Sequence, residues 1–591
     1  MRLARFPRYL QLLGIRYYRH HKPSETQILI LLSFIVGIST GLGAVLFIWL
    51  IEQAKQLFFG YSLSYLNQFI VNWKFWIPLI PLLGGLLVGP IVYRYAREAR
   101  GHGVPEVMES VALRGGIIRP RVAIAKSIAS ALCIGSGGSA GREGPIVQIG
   151  STIGSIIGQM FRMSGERVKI LVGCGAAAGI SAVFNAPIAG VIFALEIILG
   201  DFGIRTFSPV ILSSVIASVI SRSILGDSPA FDIPREHALV SAYEIPLYIL
   251  LGGFTAVIGK FFTKVLYFTE DLFEKLKIKG FLKPALGGLM LGIVGLFLPQ
   301  VFADGYDTIE LALIGGVPFL LLGILVLAKI LATSLTLGSG NSGGIFAPSL
   351  FMGAVAGGFF GYLVHQLFPD ATATSGAYAL VGMAGVVAAT THAPITAILI
   401  IFEMTGDYQI ILALMITCVF ATLISRRIDG ESIYTLKLSR RGVKLRSGRD
   451  VAILSSIRVK EVMNDKYVSI PHNTPLHQLL HIFEETRDDH FPVIDSKGNL
   501  LGTLSFQDLR YIATSTGLDT LVIAADIVHK HPAHVSPEDT LDEALKKIAA
   551  RDIDVVPVVA DDNEEKLLGL LEKSAIYSAY NRRVIDKISK A

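Results

Sequence analysis

This 591-residue chain is short of charge: Asp, Glu, Lys and Arg make up 17% of it, against 52% hydrophobic residues. Soluble domains carry about a quarter charged residues, so a large share of this chain reads as lying in a lipid bilayer. Cysteine is scarce too. Cys133, Cys174 and Cys418 each sit in an apolar stretch, which argues against a disulfide framework or a metal site and leaves helix-packing thiols. The net charge of +6 does not gather into a basic patch interleaved with aromatics, so nucleic acid is not an expected partner. No Gly-Lys-Ser/Thr closes the glycine-rich stretches, which rules out a phosphate-binding loop. No catalytic constellation is present either, and the chain does not read as an enzyme.

What is present begins with long apolar runs. Ile28 to Ile51 is one, and a run needs about 20 residues to span a bilayer. It begins too far in, and too many others follow, for a cleaved signal peptide. The basic leader (Arg2, Arg5, Arg8, Arg16, Arg19, Lys22) predicts a cytoplasmic segment over 1–27 by the positive-inside rule. Hydropathy falls sharply near residue 435. A basic linker is expected over 436–453, again cytoplasmic, and a soluble pattern of short strands and amphipathic helices follows it.

The apolar part, 28–435, repeats itself, with halves at about 28–225 and 240–435. Gly135-Ser-Gly-Gly-Ser-Ala-Gly-Arg-Glu-Gly-Pro145 matches Gly338-Ser-Gly-Asn-Ser-Gly-Gly-Ile-Phe-Ala-Pro348 in length and in its Gly, Ser and Pro positions. Ala186-Pro187-Ile188 followed by Glu196 is echoed by Ala393-Pro394-Ile395 followed by Glu403. Paired Gly/Pro interruptions in two halves point to a transporter with broken helices and a binding site at mid-membrane.

Three segments share one grammar, a glycine-rich loop and then Pro near a helix start: Gly101-His102-Gly103-Val104-Pro105, Gly141-Arg142-Glu143-Gly144-Pro145 and Gly343-Gly344-Ile345-Phe346-Ala347-Pro348. Proline is tolerated in a first turn, and glycine lets backbone approach a ligand. Free N–H groups and the positive end of the helix dipole then favour an anion at each start. Three such starts can hold a small anion without a buried cation that would slow its release.

The ordered set of Gly-Arg-Glu-Gly-Pro, Asn185-Ala-Pro, Gly-Gly-Ile-Phe-Ala-Pro, His392-Ala-Pro-Ile-Thr and a Tyr after the last membrane segment resembles the CLC chloride channel and transporter family over most of 30–440. The resemblance implies an α-helical polytopic membrane protein with an inverted repeat, transporting chloride or a related anion. It also implies a homodimer with a pore in each subunit, in the plasma membrane, with both termini cytoplasmic. It makes Glu143 the gate, a carboxylate that occupies an anion site and swings away when protonated. It makes Ile345 and Phe346 backbone donors at a central site closed from the cytoplasmic side by Tyr434. His102, Gly103, Arg142 and Gly144 complete the anion-binding set, and no metal or required cofactor is implied.

Two departures from the family pattern bear on function. His102 stands where the family commonly has Ser; its imidazole either donates to the anion or points elsewhere. Glu196 aligns with the acid just before the family's proton-relay position, which here is Ile197, and an isoleucine carries no proton. The chain therefore reads as a passive conductance, with proton/anion exchange as the alternative. Glu196 and Glu403 read as structural hydrogen-bonding acids or parts of a proton path.

The soluble part also repeats. Phe491-Pro-Val-Ile494 answers Val556-Pro-Val-Val559, and Gly502 to Asp508 answers Gly569 to Ala575. This resembles a CBS pair over 454–515 and 524–585, which implies an adenine nucleotide as regulator. Ser505 and Asp508 fit the phosphate and ribose contacts, and Ala575 leaves the second unit without the acid. A CBS-bearing divalent-cation transporter is the distant rival, but it would need carboxylates converging in the membrane.

Overall fold

The computed structural model describes residues 25–61, 76–227, 231, 240–241, 243–441, 454, 457–486, 490–505, 508, 522–530, 533–551 and 553–589. The basic leader and the linker residues Lys444, Arg446 and Arg449 lie outside these. The chain divides into two compact units, Met1–Lys444 and Leu445–Ala591.

The first unit is helical. Among the described residues eight helices are long and apolar enough to cross a membrane, from Gln27–Gly60 to Ile411–Arg440. Shorter helices break the pattern where the sequence places Gly and Pro. Helix Arg121–Gly135 stops at the first glycine loop, and helix Glu143–Met160 starts after it. Helices Phe319–Gly338 and Phe346–Leu367 repeat that break in the second half. Helices Gly165–Phe184 and Ser375–Thr391 both end on a left-handed residue, Asn185 (φ 57°) and His392 (φ 59°), and each is followed by Ala-Pro. Asn tolerates this conformation, and the proline that follows cannot continue the old helix but can begin a new one.

Close packing uses the glycines as small surfaces rather than as hinges. Helices Leu79–Pro90 and Lys283–Phe297 cross at Gly85 and Gly288, where an added Cβ would strike the backbone at Pro284 and Pro81 respectively. In lipid such backbone-to-backbone approach supplies the contact that a hydrophobic drive cannot. The expected end of the membrane part at 435 falls within a helix. Ser432 and Thr435 form a reciprocal capping box that starts helix Ile433–Arg440, so the chain is still helical across the expected start of the linker at 436.

The second unit holds two α/β subunits. In the first, Ile470–Pro471 runs parallel to His490–Ile494, which pairs antiparallel with Leu500–Ser505 and, through it, with His529–Lys530. The second is built on the hairpin Val555–Ala560 and Asn563–Glu572. Their cores do not follow the expected boundaries. Ala524 and Val528 pack into the first core with Phe491, Val493 and Leu504, whereas Leu454, Ile457 and Val459 pack into the second with Val556 and Leu571. Each subunit's leading segment is thus exchanged, and 454–515 and 524–585 are units of sequence rather than of packing.

Candidate functional site

The three glycine loops are stitched together. Gly101 donates to Asn341 O at 3.0 Å, and its carbonyl accepts from Gly343 N at 3.3 Å. Gly141 and Gly344 exchange both backbone bonds, at 2.9 and 2.7 Å. The loop of the second half therefore lies between the two loops of the first and holds three helix starts at one place. Glycine is required by contact as well as by φ. Gly103 (φ 84°) caps helix Val104–Leu113, a Cβ at Gly144 would strike His102 O, and one at Gly344 would come within 2.8 Å of Gly144 N.

Glu143 lies inside this assembly, 2% exposed. Its Oε1 accepts from Ala347 N in the first turn of helix Phe346–Leu367, and its Oε2 is buried with no hydrogen-bond partner. A carboxylate thus rests on the positive end of a helix from the other half, where an anion is stabilised. Ile345 is that helix's N-cap and Phe346 its first residue, so their N–H groups belong to the turn that has no intrahelical acceptors.

Tyr434 and His102 also converge. Tyr434 is buried in the first turn of helix Ile433–Arg440, with its ring 5.8 Å from that of His102. His102 Nε2 lies 3.5 Å from Tyr267 Oη, which donates to Ile433 O at 2.5 Å; His102 Nδ1 is buried and unpartnered. Of the predicted anion set, Arg142 is the outlier. Its guanidinium lies over the Tyr306 ring, 5.0 Å from the centroid, and its Nε is buried without a partner.

Glu196 and Glu403 lie elsewhere and mirror each other. Glu403 accepts from Ile188 N (3.0 Å) and Ala189 N (2.6 Å) at the start of helix Pro187–Phe193. Glu196 accepts from Thr396 N (2.8 Å), Thr396 Oγ1 (2.7 Å) and Ile395 N (3.4 Å) at the start of helix Pro394–Thr405. Each half caps a broken helix of the other. Ile197 is buried beside Glu196 in a wide π-turn, Ala194–Leu199.

Sequence reading missed Lys126 and Lys329. Both are fully buried, and each holds a loop through two carbonyls: Lys126 takes Ala99 O (3.1 Å) and Gly101 O (2.6 Å), and Lys329 takes Val301 O and Ala303 O, both at 3.0 Å. The signal was their matched position in the two repeats, each one lysine in an apolar helix leading into a glycine loop. Tyr267 was missed for want of any local motif.

In the second unit Asp508 Oδ2 accepts from Ser505 N (2.8 Å) and Ser505 Oγ (2.7 Å). The two candidate nucleotide residues are in contact, and the carboxylate serves as a local cap.

Residues 84–426 match the family model described as voltage gated chloride channel, and 459–514 and 524–582 match CBS domains. A putative chloride channel protein ClcB-like of Ralstonia nicotianae is 35% identical over 366 residues, 61% of this chain and 85% of that protein. The H(+)/Cl(-) exchange transporter ClcA of Citrobacter koseri is 34% identical over 424 residues, 70% and 88% respectively. A solved slow cyanobacterial Cl−/H+ antiporter superposes with a TM-score of 0.66 at 28% identity, covering 70% of this chain and 97% of that one. The chain is a multi-pass integral membrane protein of the voltage gated chloride channel family, the anion-transporting CLC proteins, carrying a pair of CBS domains.

Proposed function

We propose that this protein exchanges chloride for protons across the membrane, with Glu143 as the group both ions use. The observation that carries the reading is the Glu143 carboxylate seated on Ala347 N, at a helix start an anion would otherwise occupy. Protonation removes the charge that holds it there, so the side chain leaves and an anion takes the vacated helix end. The next anion waits at the N–H groups of Ile345 and Phe346, between Gly103 and Gly144, with Tyr434 and His102 on the cytoplasmic side. Arg142, turned onto Tyr306, adds field rather than contact.

Ile197 by itself favours passive conductance. Relatives and a solved neighbour named as exchangers and antiporters favour coupling, and the exchange reading is the better supported. The protein acts as a homodimer in the plasma membrane with both termini cytoplasmic, and an adenine nucleotide at Ser505 and Asp508 regulates it. The test is chloride flux from reconstituted vesicles with proton movement recorded alongside. Coupled movement supports exchange; chloride flux without it returns the passive reading.

A further inference from the structure

The hydrogen bonds around His102 fix more than its position. Tyr267 has one hydroxyl proton, and it goes to Ile433 O at 2.5 Å. Toward His102, at 3.5 Å, the phenol oxygen is left as an acceptor, and this contact selects the tautomer with the hydrogen on Nε2 over one with two facing lone pairs. In a neutral imidazole the other nitrogen, Nδ1, is then a lone pair. Nδ1 is the atom that is buried without a partner. A lone pair repels an anion, so neutral His102 in this tautomer cannot do what the serine hydroxyl does in the family pattern.

We propose that His102 is a proton-coupled anion ligand: it takes up a proton at Nδ1 together with the anion, in a tautomer set by Tyr267 as a positioning residue. The inference rests on the anion-transport reading above. The step balances: hydronium gives up one O–H bond as the Nδ1 lone pair forms the N–H bond, water is left behind, and the new N–H donates to the anion. The surroundings make the two events depend on each other. Charged groups facing the imidazole are the carboxylate of Glu106 and the cationic Lys126, Lys437 and Arg441, with the phenols of Tyr267 and Tyr434 beside it. Lys437 (3.3 Å) and Arg441 (3.2 Å) already pair with Glu106. One further positive charge among three cations and one acid is favourable only when a negative charge arrives with it. Tyr267 lines a cavity of about 660 Å³ whose charged lining sets five cations, among them Arg100 and Lys437, against the acids Glu270, Asp271 and Glu274. Such an element supplies proton linkage on the cytoplasmic side, where Ile197 cannot.

The test is calorimetric chloride binding to the full-length dimer-forming chain, performed in the Glu143→Gln background so that Glu143 adds no pH dependence of its own. Two buffers of different ionisation enthalpy give the protons taken up per chloride. The expected result is uptake of about one proton per anion, with affinity falling about tenfold per pH unit above the range where His102 titrates. Adding His102→Gln, which keeps a neutral donor but cannot titrate, should abolish both the uptake and the slope. Adding Tyr267→Phe frees the tautomer, so chloride should bind at high pH with a reduced proton uptake and a shallower slope. Chloride affinity independent of pH in Glu143→Gln, or a slope unchanged by His102→Gln, overturns the inference while leaving exchange standing. Absence of chloride flux through the native chain overturns both.

Discussion

Glu143 carries the sharpest prediction at the level of a single residue. Its carboxylate competes for the start of helix Phe346–Leu367 because it is negative; a neutral amide of the same shape does not. Glu143→Gln should pass chloride faster than the native chain, with the gate's own pH dependence and the coupled proton movement gone, and at saturating chloride, where the His102 linkage no longer limits binding, nearly pH-independent flux. A steep pH profile retained at saturating chloride, or in the Glu143→Gln, His102→Gln double variant, would remove Glu143 from the gate. Much at this scale was legible in the sequence. Gly-Arg-Glu-Gly-Pro and Gly-Gly-Ile-Phe-Ala-Pro encode local geometry, since only glycine permits the close approaches at Gly144 and Gly344, and proline marks a first turn. Tyr267 was not legible, because its role depends on a carbonyl at Ile433 that only the tertiary fold brings near.

The reciprocal caps belong to the scale of the element. Glu196 serves helix Pro394–Thr405 and Glu403 serves helix Pro187–Phe193, so the broken helices of each half depend on the other half for their first N–H groups. That exchange links positions about two hundred residues apart and leaves no periodicity or spacing to read. The repeat itself was visible, and so was the place of each acid within it; the partner was not. Glu196→Ala leaves Thr396 N, Thr396 Oγ1 and Ile395 N without their acceptor. Losing such a charged cap should cost about 2 kcal/mol, seen as a lower unfolding temperature in detergent. The ratio of protons to chloride should stay as in the native chain. A changed ratio with unchanged stability would instead put Glu196 in the proton path. Lys126 and Lys329 extend the same lesson: an ammonium in an apolar helix becomes intelligible only when its two carbonyls are found.

For the whole molecule, a membrane part and a soluble pair were legible in the sequence, the first in the fall of hydropathy and the second in its repeat, but neither signal reports how segments pack. The capping box at Ser432 carries helix past 435, and the exchanged segments of the CBS pair ignore the order of the chain. Regulation is the matching prediction. With full-length protein, Asp508→Ala should weaken adenine-nucleotide binding by about ten- to a hundred-fold, the worth of a charged contact to ribose hydroxyls. Asp508→Asn, which retains an acceptor for Ser505, separates loss of the ligand from loss of the local cap. Nucleotide binding unaffected by either change would leave the CBS pair as a scaffold. Nucleotide can alter transport only by binding two conformations unequally, so flux should then respond to nucleotide in the native chain and not in Asp508→Ala.

The central claim is that anion and proton share Glu143. Its most direct measurement uses vesicles holding the native chain, with an outward chloride gradient imposed and internal pH recorded. The account predicts proton entry into the vesicles, driven by the leaving chloride, that continues against an opposing proton gradient and disappears in Glu143→Gln. Chloride efflux that proceeds with no proton movement under the same gradient would contradict it.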